Sequence, residues 1–137
     1  MFTELIPLSF EKIMQTHAYT MIVFTSDVKK FAIYVAPSVG KALQNYLTHK
    51  EAPRPLTHDF ISSLFQGLEI EVIQVVITNV EETIYFARIF LEQKRGDMGH
   101  IVEIDARPSD AIMVALMHNA PVFCSKEMMD KAIPVME

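Results

Sequence analysis

The chain has 137 residues, of which 50% are hydrophobic and 21% charged, and it carries a formal net charge of -5 at pH 7. This length predicts one compact domain over residues 1–137, and the scattered acidic residues exclude a basic stripe that would grip a phosphate backbone without regard to sequence. An acidic composition does not exclude a site that binds a divalent cation, because carboxylates hold such ions in proteins.

We expect no secretory signal at the N-terminus, because Glu4 stands early and no basic start precedes an apolar run. No uninterrupted apolar segment approaches the ~18 residues that a membrane-spanning helix needs. We therefore expect a cytoplasmic protein with no membrane partner.

The first third of the chain predicts two strands and a helix. Residues 21–25 and 30–35 are apolar runs of strand length, separated by a turn at Ser26-Asp27. From Pro37 onward the apolar residues recur at helical spacing. A polar, proline-rich loop, THKEAPRPLTHD, follows this helix.

A second helix is expected to begin at the end of that loop. Thr57 is a suitable N-cap, and Asp59 lies in the first turn, where the helix dipole favours a negative charge. The apolar stripe of this helix runs from Ile61 to Leu68, and Gly67 suits its C-terminal end.

The middle third predicts a β-meander, because its segments are rich in β-branched and aromatic residues and are joined by short turns. The three predicted strands cover residues 72–79, 83–92 and 101–105. Alternation places Glu103 and Asp105 on one face of the third strand, and Arg88 of the preceding strand shares that face. One register sets Arg88 opposite Asp105.

The last third begins with a helix after Pro108, over the run SDAIMVALMHNA, with Ser109 or Asp110 as its cap. This run is apolar nearly all round, which predicts burial on more than one side. A strand at residues 121–124 and a short helix capped by Ser125 complete the chain. The predicted fold is α+β, a single domain in which a mixed or antiparallel sheet packs with helices.

Two segments share a pattern of Arg-Pro, a hydroxyl residue and Asp at a helix start. They read PRPLTHD at residues 53–59 and EIDARPSDA at residues 103–111. Together with the strands between them, these motifs resemble the bifunctional nuclease (BFN) domain family over residues 31–132. The resemblance implies a compact α+β domain and an activity, attributed to the family, on both RNA and DNA.

One segment departs from the family pattern. Where family members usually carry an Ile-Gly pair and then a Glu-Ala pair that opens a helix, this chain reads FAIYVAPSVGKAL. Ala36 and Val39 stand at the positions of that Gly and that Glu. If the missing carboxylate helps to hold a metal in other members, we expect weakened or lost activity here.

A chemical interpretation of the motifs follows from what phosphodiester cleavage requires: activated water, charge stabilisation on the phosphate and, usually, one or two Mg²⁺ or Mn²⁺ ions. The candidate metal ligands are Asp105, Asp110 and Glu103. The candidate catalytic residues are Asp105, Asp110, Asp59 and His58, with His58 as a general acid or base. The candidate phosphate-binding residues are Arg54 and Arg107.

An architectural interpretation fits the same residues. Pro55 and Pro108 hold the chain extended before each helix, and each arginine can pair with an aspartate at a helix start. Asp105 can equally pair with Arg88. Two hypotheses therefore stay open: a metal-dependent nuclease whose substrate is nucleic acid, and a noncatalytic protein- or ligand-binding module. The surplus of apolar residues is compatible with a homo-oligomer.

Overall fold

The computed structural model describes residues 4–135, apart from the side chain of Arg95. Residues 1–3 and 136–137 of the predicted domain lie outside the described residues. Within the described part, seven strands form one sheet, accompanied by four helices. The strands are β1 Leu5–Gln15, β2 Thr20–Thr25, β3 Lys30–Val35, β4 Ile70–Glu81, β5 Ile84–Arg95, β6 Met98–Ala106 and β7 Val122–Ser125; the helices are α1 Pro37–Leu47, α2 Thr57–Gly67, α3 Pro108–Met117 and α4 Lys126–Lys131.

The sheet has the strand order β3-β2-β1-β7-β4-β5-β6. Strands β4 and β7 run parallel, whereas the other neighbouring pairs are antiparallel. The sheet is therefore mixed, and the predicted α+β class with a meander through β4, β5 and β6 is confirmed.

The long first strand is the element that sequence patterning missed. Its residues alternate poorly between apolar and polar, and most of them are exposed or only partly buried. Leu5 to Leu8 pair with β7, and the residues from Ser9 to Gln15 pair with β2, with a register shift between Phe10 and Lys12 inside the second pairing. One strand therefore serves two neighbours, and the bulge at the shift is of the kind that bends a strand.

The starts of two helices differ from the prediction. Leu56, not Thr57, is the N-cap residue of α2, and Arg107, not Ser109 or Asp110, is the N-cap residue of α3. Neither residue caps its helix through a side-chain hydrogen bond. Pro108 occupies the first position of α3, where its fixed φ fits and its missing N–H costs nothing, so the helix begins two residues earlier than a cap at Ser109 would set it.

The sheet curls strongly. Phe31 on β3 stacks on Tyr85 on β5 with ring centroids 6.3 Å apart, although these strands are far apart in the strand order. The curl brings the end of β3 close to the beginning of β5. Helix α3 lies over β4 and β5, and α2 packs against α3 and β4.

Helix α3, which carries Asp110, is buried along most of its length. From Pro108 to Ala115, every residue except Asp110 is buried, which confirms the prediction from its apolar run. Behind it, Cys124 on β7 is fully buried, and burial raises the pKa of its thiol to about 12. This cysteine is a core residue. No helix in residues 4–135 is long and apolar enough to cross a membrane.

Candidate functional site

The carboxylate of Asp110 joins the starts of α2 and α3. Its Oδ1 lies 2.9 Å from Nε2 of His58, which is 52 residues away in the chain. Arg107 donates to the same carboxylate twice, from Nε to Oδ2 at 2.8 Å and from Nη2 to Oδ1 at 3.2 Å. We call these three residues the Asp110 cluster.

Two opposing effects set the ionisation of Asp110. Burial raises its pKa, but the hydrogen bonds and charges of Arg107 and His58 outweigh burial, so its pKa lies below the ordinary value. The hydrogen bonds that Arg107 donates to Asp110, together with the charge of that carboxylate, raise the pKa of Arg107. At neutral pH the cluster therefore contains a carboxylate and a guanidinium. An ionised Asp110 can only accept, so Nε2 of His58 must carry the proton that points to it.

The side chains of the Asp110 cluster differ in access to solvent. The side chain of His58 is 14% exposed, whereas that of Arg107 is 72% exposed. Because two of its nitrogens are fixed by Asp110, the guanidinium of Arg107 is held in place while most of it stays open to solvent. Such a preorganised guanidinium is suited to binding phosphate oxygens.

The other aspartate of the repeated motif has a local role. Oδ2 of Asp59 accepts the backbone N–H of Leu56 at 3.0 Å, which stabilises the first turn of α2. Leu56 has no side-chain acceptor, so this is one half of a capping box. Arg54 lies beside Asp59 on the wall of a cavity of about 420 Å³ between the end of α1 and the start of α2. Within the described residues, Arg54 forms no ion pair.

The two acidic residues of β6 pair with an arginine on the neighbouring strand. Arg88 lies opposite Asp105 in the register of β5 and β6, as predicted. Nε of Arg88 donates to Oε1 of Glu103 at 3.2 Å, and its Nη1 lies 3.9 Å from Oδ1 of Asp105. The carboxylate of Asp105 remains 75% exposed.

The three predicted metal ligands thus have different neighbours: Glu103 and Asp105 face Arg88, and Asp110 faces Arg107 and His58. Among residues 4–135, no three His, Cys, Asp or Glu side chains are placed to hold a metal together. The predicted trio does not form an all-protein metal cage in this arrangement.

A contact that sequence reasoning missed lies one turn further along α2. The hydroxyl of Ser62 is 2.9 Å from Nε2 of His118, and the ring of Phe65 lies 5.9 Å from the His118 ring. His118 is the C-cap residue of α3. The two histidine contacts, at opposite ends of α3, fix α2 alongside it. No sequence motif indicates the pair, because it depends on how the helices pack.

A cavity of about 300 Å³ lies beside the Asp110 cluster, and we call it the Arg107 cavity. It is bounded by the end of β3, the β4–β5 turn and the starts of α1 and α3. Ala36 and Val39, the two residues predicted from the sequence to depart from the family pattern, both lie on its wall. Arg107 lies on the wall as well. The departures are thus next to the candidate site rather than remote from it.

Fold and cluster define an α+β domain in which an Arg–Asp–His group joins two helix starts at the rim of a cavity. The chain belongs to the bifunctional nuclease domain family, whose model matches residues 22–137.

The chain is similar in sequence to part of several named proteins. "Uncharacterized protein Rv1829" of Mycobacterium tuberculosis is 27% identical over 100 residues, which are 73% of this chain and 57% of that protein. "Bifunctional nuclease 2" and "Bifunctional nuclease 1" of Arabidopsis thaliana are each 32% identical over 90 residues, or 66% of this chain. The chain spans little more than half of the mycobacterial protein and about a quarter of the plant proteins, at 26% and 27%.

Proposed function

We propose that this domain is a nuclease that cleaves phosphodiester bonds of RNA and DNA at the Asp110 cluster. The proposal is supported by membership of the bifunctional nuclease domain family and by the names of the two plant relatives. The observation that carries it is the bond of Asp110 to both His58 and Arg107, which sets a proton acceptor beside a fixed positive charge.

His58 is the proposed general base. Because Asp110 accepts from Nε2–H, the neutral tautomer left to His58 has an unprotonated Nδ1. That nitrogen would take the proton of the attacking water or, in RNA, of a ribose 2′-hydroxyl. A positioned base of this kind contributes about 10²- to 10⁴-fold to rate.

Arg107 is the proposed phosphate-binding group. Its Nη1 makes no hydrogen bond within the described residues, and its side chain is largely exposed, so phosphate oxygens have access to it. Arg54 is proposed to bind a neighbouring phosphate of the strand. Asp59 acts in this scheme by fixing the first turn of α2, on which His58 stands.

The proposal includes a divalent cation, Mg²⁺ or Mn²⁺, and the dependence of cleavage on that cation is to be measured. Mg²⁺ is commonly bound through one or two carboxylates together with the phosphates of the substrate, so a preformed cage is not needed. Asp105 is the proposed ligand, because its carboxylate is the most open of the three predicted ones. When bound, the cation would neutralise charge on the phosphate.

A second candidate function is a noncatalytic module that binds nucleic acid or another ligand. It is favoured by the double engagement of Asp110, which braces two helix starts as a structural residue would.

The first test is cleavage of single-stranded RNA and DNA in Mg²⁺, in Mn²⁺ and in EDTA, by the wild type and by His58→Gln. The glutamine amide keeps a donor for Asp110 but cannot accept a proton at neutral pH, so we expect activity to fall by about 10²-fold or more. His17→Gln is the matched control, because His17 is exposed and lies far along the chain from the cluster. Asp105→Asn tests the cation ligand.

The outcomes separate the two candidates. Metal-stimulated cleavage that is lost in His58→Gln, kept in His17→Gln and weakened in Asp105→Asn supports the nuclease. Equal cleavage by His58→Gln and the wild type, with both folded by circular dichroism, rejects the assigned site. Retention of RNA or DNA by a wild type that cleaves neither supports the binding module.

A further inference from the structure

The Arg107 cavity has an aromatic wall. Tyr34 and Tyr85 both line it, and the ring of Tyr85 is held by stacking on Phe31. Burial, and then the proximity of Tyr34, raise the pKa of Tyr85, so its hydroxyl is neutral and can donate. Within residues 4–135 neither tyrosine hydroxyl makes a hydrogen bond. The ring of Tyr34 also contacts that of Tyr19, edge to face, with centroids 5.1 Å apart. The wall offers aromatic rings and unused polar groups together.

A buried hydroxyl on the same wall also has no partner. Ser109 is 7% exposed and lines the cavity, and its side chain makes no hydrogen bond within the described residues. Of the other two buried hydroxyl residues, Ser125 donates to the carbonyl of Thr78 and accepts from Met128. The hydroxyl of Thr20, which is packed tightly against Gly40, also has no hydrogen-bond partner within the described residues, but Thr20 does not line the cavity. Ser109 is therefore the unpartnered buried hydroxyl that lies at this cavity.

The charge on the wall of the Arg107 cavity is positive. Of the residues that line it in the described part of the chain, Arg107 is charged and no acidic residue is present. Val39, predicted from the sequence to stand at the position of a glutamate in the family pattern, contributes an apolar side chain to this wall. The cavity is therefore compatible with an anion as well as with an apolar ring.

We propose that the Arg107 cavity binds one nucleotide unit of a nucleic acid, with its base against Tyr34 and Tyr85 and its phosphate at Ser109 and Arg107. Aromatic rings stack with any base, and a guanidinium beside a hydroxyl binds phosphate oxygens. A volume of about 300 Å³ is at the small end of ligand sites, which suits a single nucleotide and excludes a duplex. The inference rests on the proposed function, because it takes the ligand from the chemistry of nucleic acids.

The test measures binding of AMP, adenosine and inorganic phosphate to the whole chain by calorimetry in EDTA. AMP is expected to bind tighter than either fragment, because it alone fills both the ring site and the phosphate site.

Val39→Glu is the decisive variant. Its carboxylate would face the phosphate, and we expect AMP affinity to fall by at least about tenfold while adenosine binding persists. Glutamate is tolerated at the third position of a helix, so this variant should fold.

Val28→Glu is the matched control, because Val28 is exposed in the β2–β3 turn and does not line the cavity. Tyr34→Ala should weaken AMP and adenosine together, and Tyr34→Phe should restore most of the loss. No binding of AMP to the wild type, or equal affinities in Val39→Glu and Val28→Glu, would overturn the inference.

Failure of the inference and failure of the nuclease proposal are distinguishable. AMP binding that is sensitive to Val39→Glu in a protein that cleaves nothing keeps the nucleotide site and rejects the catalytic role. The opposite result is cleavage that needs His58 together with an AMP affinity that Val39→Glu leaves unchanged. That result supports the nuclease proposal and rejects this cavity as its nucleotide site.

Discussion

Asp59 and Asp110 occupy the same position, the third residue of a helix, yet they bind different partners. Asp59 accepts the backbone N–H of its own N-cap residue, Leu56. Asp110 instead accepts from the side chains of Arg107 and His58, and so connects α3 to α2. The carboxylate of Asp59 thus stabilises its own helix, whereas that of Asp110 connects two helices.

The spacing of the arginines explains the difference. In α3 the arginine is the N-cap residue, three positions before the aspartate, which lets the two side chains meet. In α2 two further residues, Pro55 and Leu56, separate Arg54 from the helix, and its guanidinium does not reach Asp59. Two similar sequence motifs therefore do not make the same contacts when the arginine lies at a different distance from the helix start.

The largest stability effect is expected when Asp110 is removed. Asp110→Ala deletes hydrogen bonds from two side chains and leaves the nearly buried His58 without its partner. Discounted for partial exposure of the carboxylate, we expect a loss of about 1 to 2 kcal/mol in the free energy of unfolding. Urea unfolding measures it. Asp27→Ala, at an exposed turn position, is the control and should change stability by less than about 0.5 kcal/mol.

An Asp110→Ala variant no less stable than Asp27→Ala would mean that the cluster contributes nothing to the fold. The three residues would then be held in place for another reason, and the functional interpretation of the cluster would gain weight.

The contribution of Asp110 should also depend on pH. Its folded pKa lies below the ordinary value of 3.8, so its charge stabilises the fold above that value and the effect is lost as pH falls through the folded pKa. The stability difference between the wild type and Asp110→Asn should be full between about pH 5 and 7 and shrink below about pH 4. Urea unfolding of both proteins over this range tests it. A difference that stays constant down to pH 3 would show that the charge of Asp110 is not what stabilises the fold.

Much of the fold could be predicted because local patterns determine it. The bounds of β3, the burial of α3 and the pairing of Arg88 with Asp105 all follow from apolar periodicity and strand alternation. The first strand could not be found in this way, since its bulge interrupts alternation and its partners lie at both ends of the chain. Long-range pairing, rather than propensity, makes it a strand.

The candidate site could be predicted in part for the same reason. The pairing of Arg107 with Asp110 is local, and the architectural interpretation contained it. The bond from His58 to Asp110 spans 52 residues and depends on α2 lying along α3. Of the three predicted metal ligands, Glu103 and Asp105 lie beside Arg88, and Asp110 lies beside Arg107 and His58. Strand alternation indicated the face that Glu103 and Asp105 share with Arg88, but it left open whether those carboxylates bind a metal.

The smallest effect in the comparison is expected from Asp59→Ala. This variant loses one hydrogen bond to a backbone N–H at an exposed helix start and one favourable charge near the helix dipole, which together amount to about 0.5 to 1 kcal/mol. Within the described residues the side chain of Asp59 hydrogen-bonds only to Leu56, at the start of its own helix, so its loss should add to that of Asp110→Ala in the double variant. Urea unfolding of both single variants and of the double variant measures the sum. A loss in the double variant that differs clearly from the sum would mean that the start of α2 moves with Asp59, and that Asp59 controls where His58 meets Asp110.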